Sequence, residues 1–146
     1  MERKLKVRGI AVLDGKLLCV RLKPRPDAKH DFWCLPGGSV DEGEPLVDAF
    51  RREMIEELGV EPKIGRLLYV YQFTHGDTEF TEFHFHIENP EDYQNVDFTQ
   101  TSHGAQELEK LEFVDPSKVY VLPKFLATEK PGKIYHKQAA KFFFEP

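Results

Sequence analysis

Residues 38–60 read GSVDEGEPLVDAFRREMIEELGV. The stretch opens as a glycine-bearing acidic loop, and Pro45 suits the first position of a helix. That helix is expected to end near Leu58, with Gly59 just past its C-terminus. Val47, Phe50, Met54 and Leu58 form an apolar stripe at i, i+3, i+7 and i+11. Glu53, Glu56 and Glu57 fall at i, i+3 and i+4, on one face bordering the stripe. No Lys or Arg follows at a spacing that would pair them. Like charges one turn apart cost about 0.2–0.5 kcal/mol per pair. Carboxylates at the negative end of the helix dipole cost about 0.3–1 kcal/mol more. A solvated, mildly repulsive face is one explanation. A use for the charge is the other, and the surroundings must decide.

The chain has 146 residues, 40% of them hydrophobic and 12 of them Phe, which suits one domain (1–146) with a real core. Its net charge of −5 and lack of long Lys/Arg blocks give no strong nucleic-acid signal. The N-terminal segment MERKLKVRGIAVLDGK does not read as a signal peptide. No stretch reaches the ~18 apolar residues of a membrane span. A cytoplasmic protein is expected. Cys19 and Cys34 lie in apolar strand-like runs and are expected to be buried, reduced thiols, since no paired Cys/His spacing suggests zinc. There is no internal repeat.

Working outward, residues 5–13 read as a strand, Asp14-Gly15 as a hairpin turn and residues 16–23 as the returning strand. Residues 24–31 form a polar, proline-bearing loop, Phe32 to Pro36 a short strand, and Gly37 to Glu44 the loop before the helix. Residues 64–74 and 78–88 read as strands joined at His75-Gly76-Asp77. In the second, Phe83, Phe85 and Ile87 alternate with Glu82, His84 and His86, predicting one core face and one wet face. Leu108 to Val114 is a strand. A short helix is expected around Pro123, and a last helix over Lys133 to Phe144 with Tyr135, Ala139, Phe142 and Phe143 on its apolar side. The class is α/β, a mixed sheet between helical layers.

The 38–60 stretch matches the Nudix box, G-x5-E-x7-R-E-U-x-E-E-x-G-U with U apolar, at every fixed position, with Met54 where Leu, Ile or Val is usual. The lead-in WCLPG, residues 33–37, resembles the family as well. The resemblance implies an α/β/α sandwich and hydrolysis of nucleoside diphosphates linked to another moiety, with Mg²⁺ or Mn²⁺. It places the metal on Glu53, Glu56 and Glu57, with the Gly38 carbonyl as a further ligand. Arg52 would orient a catalytic glutamate, Glu44 would brace the loop, and Gly37 and Gly59 would be further supporting residues. Physics agrees: Mg²⁺ seeks oxygen ligands in octahedral geometry. A helix offers carboxylates at fixed separation, and their repulsion is offset once a cation binds.

The resemblance also implies one more catalytic carboxylate from a loop outside the box, for which Glu107, just before the 108–114 strand, is the candidate, with Glu109 and Glu112 competing. The loop Thr99 to Glu107 is polar enough for a mobile lid. Arg21, Arg25 and Lys29 are candidates for substrate phosphates, and Trp33 for stacking a base, although solvated charge and core packing are the plainer roles. His84 and His86 share a strand face without matched ligands, so a metal role is not expected. Tyr69 and Tyr71 are expected in the core or a cleft wall. Beyond the box, His75-Gly76-Asp77 carries neither the Tyr of the dinucleoside-polyphosphate type nor the Pro of the ADP-ribose type. The substrate therefore stays open within small nucleotide-type molecules. A noncatalytic nucleotide-sensing module and an RNA 5′-end pyrophosphohydrolase are the alternatives, and a homodimer is left open.

Overall fold

Strand β1 sets the frame. In the computed structural model, which describes residues 1–26, 31–130, 133 and 139–146, β1 runs Glu2–Ile10. It enters charged and exposed and ends with Val7, Gly9 and Ile10 buried. It pairs in parallel with β7 (Thr78–Ile87) and antiparallel with β5 (Gly37–Ser39). β6 (Ile64–His75) pairs antiparallel with β7 across the turn at Gly76, and β10 (Lys141–Glu145) lies parallel to β6. The order is β10-β6-β7-β1-β5, a mixed sheet. A second sheet holds β2 (Val12–Leu13), β3 (Lys16–Leu22), β4 (Trp33–Cys34), β8 (Leu108–Val114) and β9 (Val121–Leu122). Asp14 (φ 52°) and Gly15 (φ 73°) make the β2–β3 turn, whose left-handed pair matches strand twist.

The strand pleat sends alternate residues to two cores. Leu18 and Val20 join Val7, Phe85 and Ile87 under helix α1 (Leu46–Leu58), through Ala49, Phe50, Met54 and Leu58. Leu17 and Cys19 face the other way, with Ile10, Trp33, Leu35, Tyr69 and Leu126 of α3 (Phe125–Glu129). Helices therefore cover both sides, giving an α/β/α arrangement. Both cysteines are free, and burial pushes both thiols up. Among the described residues, no helix is long and apolar enough to cross a membrane.

Four expectations are corrected. Pro45 caps α1 in extended conformation, so the helix starts at Leu46; Val47 is exposed, and Ala49 takes its place in the core. The loop expected from Gly37 begins as β5, because Gly37 and Gly38 pair with Arg8 and Val7. The second face of β7 is not wet: Glu82 and His84 are buried, since β7 lies inside the sheet and an aromatic cluster covers it. The end of the expected last helix is strand β10. Its aromatic run favours extended chain, with Phe143 stacked on Phe125 at 3.9 Å while Phe142 and Phe144 are exposed. Tyr135 lies outside the described residues.

Candidate active site

Arg52 is the hub of the box. Its Nε and Nη2 donate to both oxygens of Glu44 at 2.8 and 2.9 Å, a bidentate pair. Nη2 also donates to the Ser39 carbonyl at 3.0 Å. Nη1 donates to Glu53 Oε1 at 3.1 Å and Glu56 Oε2 at 3.2 Å. One guanidinium thus ties the loop to the helix and aims two glutamates. The hydrogen bonds from Arg52, then that from the Asp41 N–H, hold the Glu44 carboxyl at about 2. The cation that pairs Glu56 precedes it by four residues, the position a search for following cations passes over.

Gly37 and Gly38 are small for different reasons. A Cβ on Gly37 (φ 146°) would sit 2.0 Å from the Val7 carbonyl oxygen. A Cβ on Gly38 would sit 2.2 Å from Glu53 Oε2, so the Glu53 carboxylate lies directly against that glycine. Burial pushes the Glu53 carboxyl up, against the pull of Arg52. Gly59 (φ 73°) ends α1 in the left-handed conformation, its N–H donating to the Ile55 carbonyl at 2.9 Å.

Glu57 is buried, and burial first, then the nearby Glu107 and Glu53, pushes its carboxyl up to about 8 against the opposing charge of Arg8. Glu107 lies close enough to contribute to that rise by its charge and by hydrogen bonding. Of the three competing carboxylates, Glu107 is therefore the one the fold brings to the box. Glu109 and Glu112 are exposed on β8. Glu107 ends the short helix α2 (Gly104–Glu107), and the segment before it is pinned rather than loose. Thr101 Oγ donates to the Glu57 carbonyl at 2.7 Å, Ser102 Oγ to the Glu56 carbonyl at 3.2 Å, and the His103 N–H to that same carbonyl at 2.9 Å. His103 Nδ1 also lies 3.1 Å from Glu56 Oε2, a site contact the sequence reading missed.

As they stand, no three metal-binding side chains among the described residues close on one point tightly enough to hold a cation. The chemistry of the donor set nevertheless fits a hard divalent ion. Glu53, Glu56, Glu57 and Glu107 are all oxygen donors, and two of them face each other as carboxyls that repel unless a proton or cation lies between.

The substrate candidates are placed otherwise. Trp33 is buried in the second core, so it does not present a face for base stacking, and the Arg21 guanidinium lies over its ring at 5.8 Å. Arg25 is exposed, and Lys29 lies outside the described residues. Instead, a cavity of about 470 Å³ is lined by Lys6, Arg8, Phe32, Tyr71, Phe80 and Glu82, among others. Tyr71 is thus a cleft wall, and Tyr69 is core. Lys4, Lys6 and Arg8 alternate along β1 like a solvated face, so only the pairing with β7 reveals that the last two turn inward.

A family model described as the NUDIX domain matches residues 3–138. An ADP-ribose pyrophosphatase of Methanocaldococcus jannaschii is 42% identical over 65 residues, 44% of this chain and 37% of that one. An RNA pyrophosphohydrolase of Psychrobacter sp. is 49% identical over 39 residues, 27% of this chain and 22% of that one. The match thus spans less than half the length of either curated relative. The solved structure of a MutT protein from Methanosarcina mazei is similar in fold, with a TM-score of 0.69 and 17% identity, covering 92% of this chain and 94% of that one.

Proposed function

This chain belongs to the NUDIX family, and on that premise we propose that it is a pyrophosphohydrolase that cleaves a diphosphate linkage in a nucleoside diphosphate joined to another moiety. The observation that carries this reading is the clasp of residues 101–103 on the end of α1, which brings Glu107, from outside the box, to the side of Glu57 within it. A buried carboxyl set against a second, exposed one has no evident structural purpose, whereas a cation site calls for such a pair. Glu53, Glu56 and Glu57 would hold Mg²⁺ or Mn²⁺, with the Gly38 carbonyl beside them. When bound, the cation neutralises the diphosphate and lowers the pKa of a coordinated water. Arg52 keeps Glu53 and Glu56 in place throughout, and Glu44 keeps Arg52 in place. Glu107, exposed at the edge of the cluster, accepts a proton from the attacking water on a carboxylate oxygen. The same proposal takes residues 1–146 as one domain acting on a small molecule in the cytoplasm.

The test is a panel of nucleoside triphosphates, nucleotide sugars, ADP-ribose and 5′-triphosphorylated RNA, with both products identified. At least one compound is expected to turn over with Mg²⁺ or Mn²⁺ and to stop in EDTA. Equal turnover in EDTA, or none across the panel with either metal, overturns the proposal.

A further inference from the structure

Parallel pairing of β1 with β7 sets Lys6 opposite Glu82 and Arg8 opposite His84. Arg8 Nε donates to Glu82 Oε2 at 3.3 Å, and His84 Nε2 lies 3.0 Å from Glu82 Oε1. Burial alone would raise the Glu82 carboxyl, but Arg8 and His84 outweigh it and hold it at about 2. Glu82 is therefore a fixed anion, braced by His84 on one oxygen and gripping Arg8 with the other. The far end of Arg8 is less committed: its Nη1 reaches the Leu35 carbonyl only at 3.5 Å.

The cavity wall carries Lys6 and Arg8 against Glu82 and Glu145, so its formal charges balance, and Phe32, Tyr71, Phe73 and Phe80 supply rings. Such a cavity suits a flat, uncharged base with its sugar better than a phosphate chain. Its volume of about 470 Å³ lies toward the small end of ligand pockets, roughly 300–1,000 Å³, which favours one nucleoside over two. Arg8 lines this cavity, and β1 sets it opposite Gly37, the neighbour of Gly38 against which the Glu53 carboxylate lies, so it stands at the junction of cavity and box.

The geometry points to Arg8 as the residue that grips the substrate phosphate nearest the nucleoside, with the nucleoside in the aromatic cavity and Glu82, braced by His84, fixing the guanidinium. This rests on reading the substrate as a nucleotide compound. A guanidinium suits the task because its planar fork matches phosphate oxygens. Glu82 is a positioning residue, since it acts through Arg8.

Binding of adenosine, guanosine, cytidine and uridine is compared with binding of their 5′-monophosphates, in EDTA and again with Ca²⁺. In wild type the favoured monophosphate is expected to bind more tightly than its nucleoside. In Arg8→Gln that advantage falls about tenfold or more, as for a lost hydrogen bond to a charged group, while nucleoside affinity stays put. Arg8→Lys keeps part of the advantage and carries the test if Arg8→Gln melts early. Glu82→Gln reduces the advantage without changing nucleoside affinity. The proposal is overturned if Arg8→Gln binds monophosphates like wild type, if nucleosides lose as much affinity as monophosphates, or if no probe binds in either condition. Binding as described without turnover of any diphosphate compound would leave this assignment standing and remove the hydrolytic one. Turnover with no dependence of the monophosphate advantage on Arg8 would do the reverse.

Discussion

A Cβ at residue 38 would stand 2.2 Å from Glu53 Oε2, so Gly38→Ala must displace that carboxylate. The displaced atom is the end of a side chain, so the fold is expected to survive with a melting temperature near wild type. Activity is expected to drop about 10²-fold, as for a misplacement near 1 Å. An unchanged kcat would show that the position of Glu53 is not critical. Glu107 bears a second prediction. Glu107→Gln keeps a hydrogen-bonding group beside Glu57 but removes the base, and kcat is expected to fall by about 10²–10⁴. Glu109→Gln and Glu112→Gln, exposed on β8, should stay near wild type. The opposite ranking in steady-state kinetics would assign the base to the wrong carboxylate. Both residues were open to a sequence reading to different degrees. Gly38 is fixed by spacing within one segment, whereas Glu107 could be separated from its neighbours only by the clasp that turns it toward Glu57.

The C-terminus of α1 leaves carbonyls without helical partners, and the segment 101–104 supplies them. Thr101 Oγ lies 2.7 Å from the Glu57 carbonyl and 2.9 Å from the Phe98 carbonyl, sharing its one proton between them, and accepts from the Gly104 N–H at 2.9 Å. Thr101→Val keeps the shape and removes these bonds. It is expected to destabilise the protein by about 1 kcal/mol, the worth of a typical hydrogen bond. The reading is a lower denaturant midpoint with an unchanged slope. Activity should fall with it, because α2 and Glu107 follow directly from the clasp; an unmoved midpoint would show that the segment does not hold the helix end. Elements of this size divide by how local their signals are. Helix α1 and the turn at Asp14-Gly15 were legible because a few adjacent residues decide them. β10 was not, since an apolar run beside lysines fits a helix face as well as a strand, and only β6 supplies the partner that settles it. The buried face of β7 was misread because alternating polar residues look wet until the strand is known to lie inside the sheet.

Across the whole molecule, the carboxylate cluster was legible as a set because one helix carries most of it, while the cavity was not, because β1 and β7 meet only in the fold. Joining these parts leaves Glu57 buried beside Glu107, and this has a consequence for stability. In metal-free protein the Glu57 carboxyl is raised from 4.5 to about 8, by burial first and by Glu107. A folded state that holds its proton longer than the unfolded chain is stabilised relative to it at low pH. That advantage is fully present below the unfolded value and is lost as pH rises through the folded one. Stability in EDTA is therefore expected to fall between about pH 4.5 and 8, the window of the shift. A divalent cation binds the deprotonated ligand, so its affinity rises over the same range. At a hundredfold excess over Kd it adds about 2.7 kcal/mol. Mg²⁺ should thus raise the melting temperature more at about pH 8.5 than at about pH 6. Glu57→Gln should flatten the decline in EDTA, because a neutral amide has no proton to lose, and should gain less from Mg²⁺. Thermal melts of both proteins across pH, with EDTA and with Mg²⁺, give the comparison. A wild-type decline no steeper than the variant's would mean that the Glu57–Glu107 pair does not shape the pH dependence, and an equal Mg²⁺ gain in both would remove Glu57 from the ligand set.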